Sequence, residues 1–318
     1  MKQGLLSILL IIFLMNFSSA QHLSEKQIKE ITDLIPELIS KHYVFKDKGK
    51  QIAQDFQKLT ESEKYLSYEN PDTLAAKLSK DLRKISSDGH MYVLTKERDT
   101  DKSWEELEKD AEIKKNYGFE TVQILENNVG YIKITKFMHP KRSMQTAVAA
   151  MKLVENTNKL IIDIRGNVGG YPGIMLYILN HYFDGPPTLL STTYSSNTEE
   201  GAMTTYTSDL VYGKLRVDTP LFIIIDRGTA SAAEYFAYTA QAFEKATVIG
   251  EKSAGGAYMS KLYALPYNFK ISISAMAPVN AKTKSNWEIK GVVPDYYTER
   301  NISVDRVIEL IEGIMKNK

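Results

Sequence analysis

Leu160-Ile161-Ile162-Asp163-Ile164-Arg165-Gly166-Asn167-Val168-Gly169-Gly170 is a nearly continuous β-branched run that breaks into a glycine-rich turn. A strand with one wet face alternates apolar and polar residues; an unbroken run belongs to a strand buried on both faces. Leu221-Phe222-Ile223-Ile224-Ile225 has the same character, and Thr247-Val248-Ile249 is a shorter version. Val129-Gly130-Tyr131-Ile132-Lys133-Ile134 reads as a further strand. Between these runs lie helical patterns. Met144, Ala147, Val148, Met151 and Val154 make one face, and 174–182 and 231–243 are also helical. A last amphipathic helix carries Val304, Val307, Ile308, Ile311 and Ile314. Strands alternating with helices predict an α/β core with a mostly parallel sheet covered on both sides. Two alternating stretches, 259–267 and 270–276, predict a β-ribbon added to it.

Upstream the pattern is helical. Ile28, Ile31, Leu34, Ile35, Leu38 and Ile39 recur at steps of three and four. Ile52, Phe56 and Leu59 suggest a second helix, and Leu74, Leu78, Leu82 and Ile85 a third that starts at Pro71-Asp72-Thr73. The expected organisation is an N-terminal helical cap over 21–95, a polar connecting segment over 96–119, and an α/β core over 120–318. Residues 1–20 read as an export signal peptide: Lys2 is the basic start, 5–17 the apolar run, and Ser18-Ser19-Ala20 the small-residue cleavage site. Cleavage after Ala20 predicts a periplasmic or extracellular protein without stable membrane insertion.

Of the 318 residues, 43% are hydrophobic and 25% charged, the balance of a globular protein, and the net charge is +1. No overall field draws this chain to nucleic acid. The chain has no cysteine, which removes disulfides, thiolate nucleophiles and Cys-ligated metal from consideration. No His/Asp/Glu set has metal-ligand spacing, so neither metal nor cofactor is expected.

Three segments at the ends of elements carry candidate chemistry. Arg165-Gly166-Asn167-Val168-Gly169-Gly170 can bring backbone N–H groups close to a ligand, but it lacks the spacing of a P-loop or of a dinucleotide fingerprint. Gly228-Thr229-Ala230-Ser231-Ala232-Ala233-Glu234 follows a buried strand. Ser231 and Glu234 fit the S-x-x-E spacing of a capping box, and the same turn would also present a serine hydroxyl above the sheet edge with the Ala232 N–H beside it. The third is Trp287-Glu288-Ile289-Lys290-Gly291-Val292-Val293-Pro294-Asp295. Among five histidines, His90 stands in a turn, Ser87-Asp88-Gly89-His90-Met91-Tyr92.

Taken together and in order, these segments, with Val129-Gly130-Tyr131-Ile132 and 248–256, resemble the S41 serine peptidases: tail-specific proteases, the tricorn core protease and the retinoid-binding protein modules. The resemblance implies a ClpP/crotonase-like core behind the cap and peptide-bond hydrolysis through an acyl-enzyme, with a peptide or protein as substrate. The tail-specific branch uses a Ser–Lys dyad, but the position of its lysine is here Gly256. The tricorn-like branch uses Ser, His and an acidic residue. Its pattern implies Ser231 as nucleophile, His90 as base and then acid, and Glu288 as the group that orients His90. A histidine with an unperturbed pKa of about 6.5 suits the task, and a carboxylate fixes its tautomer. The oxyanion hole would be the Ala232 N–H with that of Gly169 or Gly170. The stretch from His90 to Val129 is too short for the PDZ domain found in many tail-specific proteases, so recognition of a substrate's C-terminus by that module is not expected. Two other readings share the scaffold. One is a non-catalytic binding module for hydrophobic ligands. The other is a crotonase-like acyl-CoA enzyme, which export disfavours because CoA is intracellular.

Overall fold

The computed structural model describes residues 22–95, 104–197 and 201–316. The expected signal peptide and the first part of the connecting segment lie outside the described residues. In chain order the cap supplies α1 (Glu25–His42), α2 (Lys46–Glu61), α3 (Pro71–Ser86) and β1 (Tyr92–Leu94). Then follow α4 (Trp104–Lys114), β2 (Phe119–Leu125), β3 (Val129–Ile134), α5 (Pro140–Leu153), β4 (Lys159–Asp163), α6 (Pro172–Asn180), β5 (Leu189–Ser195) and β6 (Met203–Tyr206). The chain closes with β7 (Leu221–Ile225), α7 (Ala232–Ala242), β8 (Thr247–Gly250), β9 (Met259–Ala264), β10 (Lys270–Asn280), β11 (Tyr296–Tyr297) and α8 (Val304–Lys316).

α1 starts where its sequence says it should. Ser24 Oγ accepts from the Gln27 N–H while Gln27 Oε1 accepts from the Ser24 N–H, and Ile28, Ile31, Ile35 and Ile39 are all buried. Asn70 caps α3 by accepting from the N–H groups of Asp72 and Thr73. At its other end Ser87 turns left-handed (φ 54°, ψ 33°), and the chain swings into Asp88-Gly89-His90.

The main sheet has the order β11-β8-β7-β4-β3-β2, parallel throughout except that β2 runs antiparallel to β3. Side chains of a strand alternate between faces, so the buried runs divide cleanly. Leu160, Ile162, Leu221, Ile223 and Val248 join the large core with α5, α6, α7 and the cap helices. Ile161, Phe222, Ile224 and Ile249 meet Val307 and Ile311 of α8 on the other face. Burial on both faces explains why these strands lack alternation. Fully burying each Ile or Leu side chain is worth about 1.5–3 kcal/mol, and that sum holds the layers together.

A second sheet, β1-β10-β5-β6 with β9 also on β10, is antiparallel. The β9–β10 ribbon matches the expectation. β5 and β6 are additions to it, because Leu189–Ser195 and Met203–Tyr206 are rich in Ser and Thr and offer no apolar run. Backbone hydrogen bonds join the cap to this sheet: β1 pairs with β10, and the Val44 N–H donates to the Ser274 carbonyl.

Candidate active site

The C-terminal ends of β4 and β7 deliver the two loops that meet at Ser231. Asp226 sits just past β7, buried. Its Oδ1 accepts the N–H groups of Gly166 and Gly228, each at 2.8 Å, and its Oδ2 accepts from Arg300 Nε at 2.9 Å. Burial alone would raise its pKa, but the N–H donors and Arg300 outweigh that and hold it below the usual carboxylate range. Thr229 Oγ1 donates to the Ile164 carbonyl at 2.9 Å, and the Ala230 N–H donates to the Asn167 carbonyl at 2.9 Å. The glycine loop and the serine turn are thus laced side by side.

Ser231 has φ 56° and ψ −121°, a backbone region that a residue with a Cβ seldom occupies. Holding it there costs about 1–3 kcal/mol, a cost that recurs where a side chain must be aimed. Glu234, one turn into α7 and fully buried, accepts the Ser231 N–H on Oε2 at 2.8 Å. This is the glutamate half of the expected capping box. The same carboxylate also accepts the Gly256 N–H at 2.9 Å on Oε2, and the Gly255 N–H and Ser253 hydroxyl at 2.6 Å each on Oε1. Four donors on one buried carboxylate fix the 253–256 loop against the serine turn.

Gly169 (φ +94°) packs on that turn. A Cβ there would lie 2.8 Å from each of Ala230 O, Ala232 N and Ser231 Cβ, so only glycine fits. Its N–H donates to Asn167 Oδ1 at 2.9 Å. Among the described residues no acceptor takes the N–H of Gly170 or of Ala232.

His90 arrives from the cap. Its own N–H donates to Asp88 Oδ1 at 2.9 Å, and its carbonyl accepts from Ser272 Oγ at 2.7 Å. The imidazole lies against Gly256: a Cβ built on that glycine would be 3.0 Å from His90 Cε1 and 3.7 Å from Nε2. Gly256 is thus the residue between His90 and the Glu234–Ser231 pair. His90 Nδ1 lies 3.7 Å from Asp88 Oδ1, too far for a hydrogen bond, and is buried without a hydrogen-bond partner. Desolvation pushes the imidazole down, but the charge of Asp88, then those of Glu288 and Glu234, more than offset it and hold His90 above its ordinary pKa.

Besides Glu234, two carboxylates lie near this imidazole. Asp88 is 1% exposed; its N–H donates to Ser86 Oγ, and its Oδ2 accepts from the Tyr43 hydroxyl at 3.1 Å. Desolvation works to raise its pKa, yet His90 and the surrounding donors keep it below the usual range. Glu288 is 8% exposed, and its Oε2 accepts the N–H groups of Ala257 at 2.7 Å and Tyr258 at 3.1 Å. Desolvation, then the charge of Asp88, raises its pKa. The other histidines lie elsewhere: His42 stacks on Tyr263, His139 caps α5, His181 Nδ1 donates to the Tyr177 carbonyl, and His22 is exposed beside Glu69.

Of the residues singled out from sequence, Ser231, Ala232 and Gly169 meet at one point, Gly170 follows in the same loop against Phe137, and His90 reaches the adjoining Gly256. Glu288 anchors the segment that follows Gly256. Asp88, Asp226 and Tyr43 were not anticipated, nor was the loop clamp made by Glu234. Asp88 is flanked by turn residues, and only its burial distinguishes it from an ordinary turn aspartate.

With this geometry in hand, comparison with known proteins gives a consistent result. Residues 128–298 match the profile of peptidase family S41, and residues 18–126 match the N-terminal domain of peptidase S41 described from eukaryotic IRBP. The first match alone spans more than half of the chain, and the chain belongs to peptidase family S41. A carboxyl-terminal-processing protease of Synechocystis is 27% identical over 176 residues, which cover 54% of this chain and 38% of the relative. The chain therefore aligns with well under half the length of that protein. Among solved structures, a candidate peptidase of Parabacteroides merdae superposes with a TM-score of 0.61 at 18% identity, covering 92% of this chain and 96% of that one. The tricorn protease gives 0.51 at 12% identity over 92% of this chain and 37% of its own. At these identities the likeness is one of fold: an α/β core with an N-terminal helical region before it. Among the described residues no helix is long and apolar enough to cross a membrane.

Proposed function

We propose that this chain is a serine peptidase that cleaves peptide bonds through an acyl-enzyme on Ser231, with His90 as the base. The observation that carries the reading is the packing of the His90 ring on Gly256. The Gly256 N–H and the Ser231 N–H end on the same Glu234 oxygen, so residues far apart in sequence converge there. In the proposed reaction His90 Nε2 takes the proton of Ser231 Oγ as that oxygen attacks the substrate carbonyl. The resulting imidazolium then protonates the leaving amine, and the cycle repeats with water to release the acid. The developing oxyanion would sit between the N–H groups of Ala232 and Gly170. Gly169 supports the hole by its close fit, its own N–H being directed to Asn167. Each such donor is typically worth about 3–4 kcal/mol in the transition state.

The substrate class is an extended peptide or protein, supplied outside the cytoplasm if residues 1–20 act as a leader. The test is digestion of a denatured protein by the purified chain beside Ser231→Ala, with the new N-termini read by mass spectrometry. New termini that depend on Ser231 support the proposal. Equal products from both proteins, or none from a folded wild type, would return the binding-module reading. N-terminal sequencing of the exported protein checks the leader: a start at Gln21 is expected, and a retained Met1 refutes cleavage.

A further inference from the structure

We infer that Asp88, held by Tyr43 of the cap, is the carboxylate that positions His90, and that Glu288 serves the fold of the adjoining loop. The inference rests on the reading of His90 as base to Ser231. A catalytic imidazole needs an acceptor at the nitrogen away from the nucleophile, to fix the tautomer and to stabilise the imidazolium. Among the described residues His90 Nδ1 has one carboxylate within ion-pair range, Asp88 at 3.7 Å. Catalytic hydrogen bonds are often long before substrate binds, and an approach of roughly 0.5 Å would bring this pair within hydrogen-bond distance.

The surroundings suit each carboxylate to a different task. Asp88 is locked on three sides, by the His90 N–H, the Ser86 hydroxyl below its own N–H, and the Tyr43 hydroxyl on its far oxygen. Tyr43 itself is fully buried at the C-cap of α1, so the cap reaches the base through one side chain. Glu288 instead directs an oxygen to two consecutive backbone N–H groups, Ala257 and Tyr258. Its burial next to Asp88 disfavours a second negative charge, whereas Asp88 keeps its charge at neutral pH. The ionisable groups that face His90 are Asp88, Glu288 and Glu234, with Tyr43 and Tyr258 behind the first two.

Asp88→Asn and Glu288→Gln separate the two roles: each removes the charge, the introduced glutamine oxygen can keep both backbone N–H groups, and the introduced asparagine oxygen can keep the His90 N–H while its NH2 donates to the Tyr43 hydroxyl. Two readouts apply to the intact chain: the rate of fluorophosphonate labelling at Ser231, and the titration of His90 by NMR. Asp88→Asn is expected to slow labelling on the order of 10³-fold or more, by analogy with removal of the charge in a triad. It should also move the His90 midpoint to lower pH by roughly one unit or more, the scale set by loss of an adjacent opposite charge. Glu288→Gln should stay within about tenfold and leave the midpoint nearer its wild-type value, in line with a carboxylate that is not the direct partner. Tyr43→Phe, which leaves the charge and frees Asp88 to turn, should fall between them. The reverse ranking, with Glu288→Gln shifting His90 and Asp88→Asn not, overturns the inference. Failure of wild type to label overturns the hydrolase reading; the His90 titration, which needs no reactive serine, still decides the pairing.

Discussion

Substituting Gly256 by alanine is a one-atom perturbation with a calculable consequence. Gly256 does not occupy the left-handed region, unlike its neighbour Gly255 at φ +87°, so its backbone accepts an L-residue. What it lacks is room, since the added Cβ would stand 3.0 Å from His90 Cε1. Carbon atoms settle at about 3.5–4.0 Å, so the ring must retreat by roughly 0.5–1 Å. The His90 backbone is fixed by Asp88 and Ser272, and the movement must therefore come from the imidazole torsions. A displacement of that size in a catalytic group costs about 10²-fold in rate, equivalent to ~2.7 kcal/mol of transition-state stabilisation. Stability should hardly change, because the Gly-to-Ala gain from the unfolded chain, about 0.4–1 kcal/mol, opposes the local crowding. The assay is the fluorophosphonate labelling rate with melting temperature measured in parallel, for wild type, Gly256→Ala, His90→Ala and the double variant. With His90 gone, the extra methyl should have no further effect, giving a large non-additive term. Labelling of Gly256→Ala at the wild-type rate, or an equal slowing in the His90→Ala background, would refute the account of this glycine.

Four further outcomes follow from the same geometry. The pH dependence of labelling should rise from the acid side with a midpoint above about 6.5, because the base must be neutral and its pKa is raised; a midpoint below that value in a pH titration contradicts the charge environment. In stability the sign is opposite: a raised His90 pKa contributes fully below the unfolded value and is lost as pH rises through the folded value, so the melting-temperature advantage of wild type over His90→Ala should shrink as pH rises above about 6.5. Glu234→Ala removes the charged acceptor of four donors and should cost about 3–5 kcal/mol in denaturant unfolding, with labelling lost even where the fold survives; a change under about 1 kcal/mol would show that the loop is held by other contacts. Ser231→Gly relaxes φ 56°, ψ −121° and should raise unfolding stability by about 1 kcal/mol while abolishing reactivity; a destabilised variant would show that the backbone is not strained.

The parallel core is legible in the sequence because its strands are buried on both faces, and a continuous Ile-rich run at 160–164 or 221–225 suits little else. β5 and β6 are not legible, because their Thr- and Ser-rich residues make hydrogen bonds, such as that between Ser191 and Tyr235, that periodicity does not see. The serine turn and the glycine loop can be located from their places after strands, but their mutual contact cannot. The capping box at Ser231 and Glu234 is visible as spacing, yet the three further donors on Glu234 come from residues 253–256, which only the fold brings near. Gly256 shows in sequence only as a missing lysine; in three dimensions it is the space against which His90 rests. Asp88 lies two residues from His90, but a turn aspartate is unremarked by its type, and burial alone marks it out.

The most direct test of the central claim is fluorophosphonate modification of the purified chain, with the adduct mapped by peptide mass spectrometry beside Ser231→Ala and His90→Ala. The account predicts a single adduct on Ser231, absent from the first variant and slowed to near background in the second. An unmodified, folded wild type, or modification of Ser231 that proceeds equally without His90, would contradict it.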